Sequence, residues 1–131
     1  MTRTAQGLGY AGLIPFVALS LGMNLHPLTT VAFTTYSAVI LSFLGGIHWG
    51  VALTRPEWST PTRIGLCMLP SLLGWLALLL PTQGALIVLM ISYLSWWLWD
   101  RSQLDQPDYR RLRFHLTAVV VLCHLVWLVQ T

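Results

Sequence analysis

This sequence predicts an all-α integral membrane bundle of five transmembrane helices, on three observations. Of 131 residues, 56% are hydrophobic and 8% charged, against about 25% charged in a soluble domain. That leaves too little polar surface to cover a water-soluble globule. Five apolar segments come near or beyond the ~20 residues that a helix needs to cross a bilayer, at residues 7–25, 29–53, 62–80, 84–99 and 112–129. The alternation of barrel strands is absent, and hydrocarbon requires each backbone amide to be satisfied within its own segment, so the segments read as helices. Seven tryptophans agree, since Trp concentrates at membrane interfaces.

The first segment follows Arg3. It lacks a small-residue cleavage site with a soluble domain behind it, and an Arg- and Ser-rich presequence, so it is expected to be a retained span. Pro15 inside it predicts a kink. The second segment contains SFLGGIHWG. Thr34, Ala38, Ser42, Gly46 and Gly50 form a ridge of small residues at spacing four, ending in Gly-x-x-x-Gly. The ridge predicts close helix packing within the chain, with a dimer seam as the alternative. His48 lies about 180° around the helix from Gly46 and Gly50. Lipid is a poor home for an imidazole, so His48 is expected to face a second helix or a cavity, with Gly45 leaving space beside the ring. Helix two is then central.

Pro61 suits the first turn of helix three, and Pro70 within it predicts a second kink. The two proline-bearing segments show no matching halves, so a broken-helix substrate site is not expected. Helix four is short, but its WWLWD end extends it into the interface as an aromatic belt with a charge stop. Pro107 suits the first turn of helix five, where Asp108 complements the dipole.

An odd number of spans puts the amino terminus, the 2–3 loop and the 4–5 loop on one side. All seven basic residues, Arg3, Arg55, Arg63, Arg101, Arg110, Arg111 and Arg113, fall there. This bias predicts a cytoplasmic amino terminus and a carboxyl terminus outside. Glu57, Asp100, Asp105 and Asp108 fall on the same side, and the outer side keeps only His26 and neutral polar groups. The net charge of +3 is small, which gives nucleic-acid binding no support. Cys67 and Cys123 lack metal or redox spacing and read as small hydrophobes without a disulfide.

Polar groups converge at the inner face. His48 and Trp49 lie near the inner end of helix two, Asp100 closes helix four, and Tyr109, Arg110, Arg113 and His115 open helix five. A carboxylate at a helix carboxyl terminus opposes the macrodipole, so Asp100 needs a cationic partner, Arg113 or Arg110. Tyr93, Trp97 and Asp100 share a face at i, i+4 and i+7. These residues predict an Arg–Asp–His network joining helices two, four and five. It serves either to fix packing, with arginines snorkelling to phosphate, or to form a pocket for an anionic headgroup or a quinone ring. An imidazole also titrates near neutral pH, which makes proton transfer chemically available. His115 and His124 point about 180° apart and cannot share a metal. His48 and His115 share a depth, as haem ligands do, but two unspaced histidines do not argue for haem. No zinc-protease, P-loop, nucleophile-elbow or paired-acid motif occurs, and Ser42, Ser71 and Ser92 are expected to bond their own helix backbone.

GLIPF in helix one, YSAVILSFLGGIHWG in helix two and YRRLRFHLT entering helix five resemble the transmembrane protein 69 family. The resemblance covers nearly the whole chain. It implies a small inner-membrane protein, bacterial or mitochondrial, with this helix count and no particular chemistry. Because the chain starts directly at the domain, a bacterial inner membrane is expected. The function expected is a non-enzymatic binding or accessory protein for membrane lipid, quinone or another membrane protein, its cofactor left open. A small transporter or proton-conducting protein using His48 and Asp100 is the alternative, and a membrane enzyme comes third for want of a motif.

Overall fold

A computed structural model describes residues 2–22 and 26–131. Five helices are long and apolar enough to cross a membrane: α1 (Arg3–Leu21), α2 (Thr29–Thr54), α3 (Pro61–Leu78), α4 (Thr82–Gln103) and α5 (Pro107–Gln130). A 3-10 turn at Pro56–Trp58 links α2 to α3, and no strand occurs among the described residues. Residues 23–25, the end of the first predicted segment, lie outside the described residues. The helices outrun the apolar segments, α4 continuing to Gln103 and α5 starting at Pro107. Helix formation continues into the interface, where polar side chains reach water and headgroups. Pro61 and Pro107 each open a helix, as their missing N–H allows.

Both proline-bearing spans are broken in the same way. α1 divides into Arg3–Ala11 and Leu13–Leu21, and α3 into Pro61–Leu66 and Leu69–Leu78. Ala11 and Leu66 stand four residues before Pro15 and Pro70. A proline ring clashes with that carbonyl and has no N–H to bond it, which ends the first piece there. At the α1 break, the Tyr36 hydroxyl on α2 donates to the Gly12 carbonyl at 2.8 Å, supplying a donor where the ladder is interrupted.

The helices pack as a ring in chain order, α1 closing against α5, with α2 also touching α4 across the middle. α2 is thus central, as expected. Its seam with α3 differs from the predicted ridge. A Cβ on Gly46 or Gly50 would meet nothing within 4 Å. A Cβ on Gly45 would collide with the Cys67 carbonyl oxygen and touch Pro70, and one on Gly74 would lie 3.1 Å from the Ala38 carbonyl oxygen. Ala38 and Gly45, seven residues apart, are buried along this seam, and Ala52, seven further, is buried beside the 3-10 turn. The reason is geometric. Steps of four residues drift by about 40° each, so the ridge turns out of the seam, whereas steps of seven return to within about 20°. Gly45 therefore admits the broken part of α3 and not a partner for the imidazole.

Phe16, Phe33, Leu41, Leu86, Leu89 and Tyr93 are almost wholly buried inside the ring, while Leu8, Ile14, Leu72, Leu98 and Leu122 are exposed on its outside. That distribution suits hydrocarbon as the surrounding solvent. Cys67 and Cys123 are buried free thiols.

Candidate functional site

The last turn of α4 directs Asp100 inward, where it is 2% exposed, alongside His48 of α2 at 1% and Arg113 of α5 at 3%. Asp100 Oδ1 accepts from His48 Nε2 at 2.5 Å and from the Tyr109 hydroxyl at 2.9 Å. Oδ2 accepts from Arg113 Nε at 3.1 Å. A carboxylate only accepts, so the bond to His48 places the ring proton on Nε2. Three donors from two other helices thus hold one buried acid, the arrangement that makes a desolvated charge tolerable.

Aromatic rings enclose the imidazole. Trp58, in the 3-10 turn, stacks on it at 5.4 Å and 28°, and Trp96 meets it edge-on at 5.1 Å and 72°. The Arg63 guanidinium lies 4.7 Å over Trp58. Ser59 pins the turn by donating to the Ala52 carbonyl. An Arg63–Trp58–His48 stack therefore covers the site from the arginine-bearing end.

The other expected residues divide. Tyr109 joins the network. Arg110 does not. Its Nε and Nη2 donate to the Leu104 and Arg101 carbonyls at 3.2 and 2.7 Å, clipping the α4–α5 loop, because its place one turn before Arg113 aims it at the loop. Trp97 lies under the Arg101 guanidinium at 5.7 Å and beside Phe114 at 6.0 Å, outside the network. Trp49 is 45% exposed on the outer surface. His115 pairs with the Tyr10 hydroxyl at 2.8 Å, tying α5 to α1. His115 is exposed and takes no part in the Asp100 network that holds His48. Tyr93 lies deeper and donates to the Ser37 carbonyl at 2.6 Å.

Trp58 and Trp96 were not anticipated, nor was a second buried centre. His124 Nδ1 bonds the Val120 carbonyl at 2.7 Å, and Nε2 meets Ser37 Oγ at 2.8 Å. The carbonyl only accepts, so Nδ1 carries a proton, and Nε2 shares its bond with the Ser37 hydroxyl, which can donate or accept. The signal lay in helical phase. Arg113, Thr117, Val120, His124 and Trp127 recur at alternating spacings of four and three, and all are buried.

A cleft of about 450 Å³ opens between α1, α2 and α5. Leu13, Phe16, Ile40, Leu44 and Leu116 give it apolar walls, and Tyr93, Tyr109, Arg113 and Thr117 its polar groups. Two buried atoms of its lining, Arg113 Nη2 and Thr117 Oγ1, have no hydrogen-bond partner among the described residues. A mostly apolar cleft with a few converging polar groups is the usual form of a small-molecule site. No trio of His, Cys, Asp or Glu able to hold a metal occurs among the described residues.

A sequence profile described as a protein of unknown function (DUF3429) matches residues 1–129. The chain is similar to a Xenopus tropicalis protein named transmembrane protein 69, at 43% identity over 100 residues, covering 67% of this chain and 38% of that one. It is also similar to a Mus musculus protein of the same name, at 39% identity over 98 residues, covering 69% of this chain and 40% of that one. The chain thus spans well under half the length of these curated relatives. No solved structure matches it.

Proposed function

From the premise that this chain belongs to the DUF3429 family of proteins of unknown function and is similar to proteins named transmembrane protein 69, we propose that it is a non-enzymatic binding or accessory protein of the bacterial inner membrane. It holds an amphiphile, a lipid or a quinone, in the cleft between α1, α2 and α5. The observation that carries this reading is the pair of buried, unpartnered polar atoms on an otherwise apolar cleft, Arg113 Nη2 and Thr117 Oγ1. Left unsatisfied, such groups are costly, and an acceptor on a ligand removes that cost. Asp100 and Tyr109 set the guanidinium, His48 sets Asp100, and Trp58 shields the assembly. Intramembrane charges that are paired and kept are a recurrent mark of ligand sites.

The test is native mass spectrometry of the protein extracted from its own membrane in mild detergent. A retained adduct of defined mass, lost in Arg113→Ala and in Leu13→Trp, is expected. Leu13→Trp fills the cleft without touching the network, so it separates loss of ligand from loss of fold. A bare chain with only random lipid sinks the proposal. The second reading, proton conduction, is supported by imidazoles at two depths, His48 with Asp100 and His124 with Ser37. It requires proton flux in liposomes that His48→Ala abolishes.

A further inference from the structure

The outer surface between α4 and α5 carries a second concavity, separate from the cleft just described. Its head is a cleft of about 300 Å³ at the arginine-bearing end, lined by Trp97, Asp100, Arg101, Arg110, Arg113 and Phe114. Three guanidiniums face one carboxylate there, and both Asp100 oxygens already accept hydrogen bonds. The lining is therefore net positive. Arg101 and Arg110 are exposed, and Arg113 is buried behind them, held by Asp100.

Below the head runs an apolar groove of about 180 Å³, lined by Leu94, Thr117, Ala118 and Val121. Trp97 and Phe114 border both spaces and join them. Leu94 and Phe114 are 40% and 53% exposed, so the groove is open to the surrounding hydrocarbon. A basic cleft at the interface that continues into an apolar groove has the polarity of a phospholipid lying along a helix pair. Guanidiniums bind phosphate oxygens with charge-assisted hydrogen bonds, and basic pockets between spans on the cytoplasmic side recognise anionic headgroups.

We infer that the α4–α5 face is a binding site for an acidic phospholipid, its phosphate held by the exposed Arg101 and Arg110 and one acyl chain lying in the groove over Ala118. Arg110 has its Nε and Nη2 engaged with loop carbonyls, which fixes the guanidinium in place at the cleft wall. Arg101 rests on Trp97 and supplies the more adaptable cation. The site goes beyond the amphiphile cleft, sharing only Arg113 and Thr117 with it.

The test mixes the full chain, delipidated in mild detergent, with phosphatidylglycerol and phosphatidylcholine of matched chains and reads bound lipid by native mass spectrometry. Phosphatidylglycerol is expected to be retained preferentially. Arg101→Gln should reduce that preference roughly fivefold, the effect of one basic side chain near an anionic headgroup. Ala118→Phe, which occupies the groove on an exposed position, should lower retention of both lipids. Leu13→Trp should leave the preference intact, so this site and the inner cleft fail independently. Equal retention of the two lipids overturns the inference, as does a preference unmoved by both Arg101→Gln and Ala118→Phe. Displacement by inorganic phosphate with no effect of Ala118→Phe also overturns it, by reducing the site to a free-phosphate site.

Discussion

Asp100 takes hydrogen bonds from His48, Tyr109 and Arg113, and its removal strands the Arg113 guanidinium in a position 3% exposed. Breaking a buried pair from one side costs about 3–5 kcal/mol, mostly from the charge left behind. Asp100→Ala is therefore expected to lower unfolding stability in detergent by that order, and Asp100→Ala with Arg113→Met to recover much of it. Additive losses in the double variant would show that the two residues are not coupled. The Asp100–Arg113 pair and its His48 partner were legible in sequence, because a charge inside a span must find a partner and few were within reach. Arg110 was an equally good candidate by spacing, and only the loop's course excludes it. Trp58 was not legible: a turn that folds back over a helix end leaves no periodic trace. Trp96 was missed because a face through Tyr93 and Asp100 passes between positions 96 and 97, and spacing alone does not choose between them.

At the scale of the helices, the α2–α3 seam rests on Gly45 and Gly74 opposite Pro70 and Ala38. Gly45→Ala drives a methyl into the Cys67 carbonyl, a backbone atom that cannot turn aside, and is expected to cost about 1–3 kcal/mol in stability, as overpacking does. Gly46→Ala and Gly50→Ala meet open space and are expected to be neutral or to gain up to about 1 kcal/mol from helix propensity. Thermal unfolding of the three variants in one detergent checks this. Loss of stability in Gly50→Ala with none in Gly45→Ala would restore the ridge as the packing seam. The number and order of the spans were readable because hydrocarbon imposes length and apolarity. The seam was not, because two small-residue rows share one helix and the partner's break selects between them.

For the whole molecule, all seven arginines stand at one end of the bundle, which is expected to face the cytoplasm. Gln83 and Ser102 are exposed at opposite ends of α4. With Cys67 and Cys123 replaced by alanine, a membrane-impermeant maleimide should label Gln83→Cys in cells whose outer barrier alone is opened. Ser102→Cys should react only after the inner membrane is permeabilised. The reverse pattern would invert the topology and place the arginine clefts outside. α2, at 26 residues, is about 39 Å long at 1.5 Å per residue. It exceeds the ~30 Å hydrocarbon thickness, so the end that carries the 3-10 turn is expected to reach the headgroup layer.

The Asp100–Arg113 bond also bears on how the chain enters the membrane while it is being made. The two residues sit on consecutive helices joined by the short stretch 104–106, and they are the only buried carboxylate and guanidinium among the described residues. A lone Asp or Arg costs about 2.5–3.5 kcal/mol at the centre of a span, and less near a span's end, where Asp100 and Arg113 stand. α4 emerging from the ribosome carries such a group without its partner until the first turns of α5 follow. Pairing Asp100 with Arg113 lowers that cost, so α4 and α5 are expected to settle in the bilayer as a hairpin. His48, on α2, meets its carboxylate only where that hairpin packs against the earlier helices.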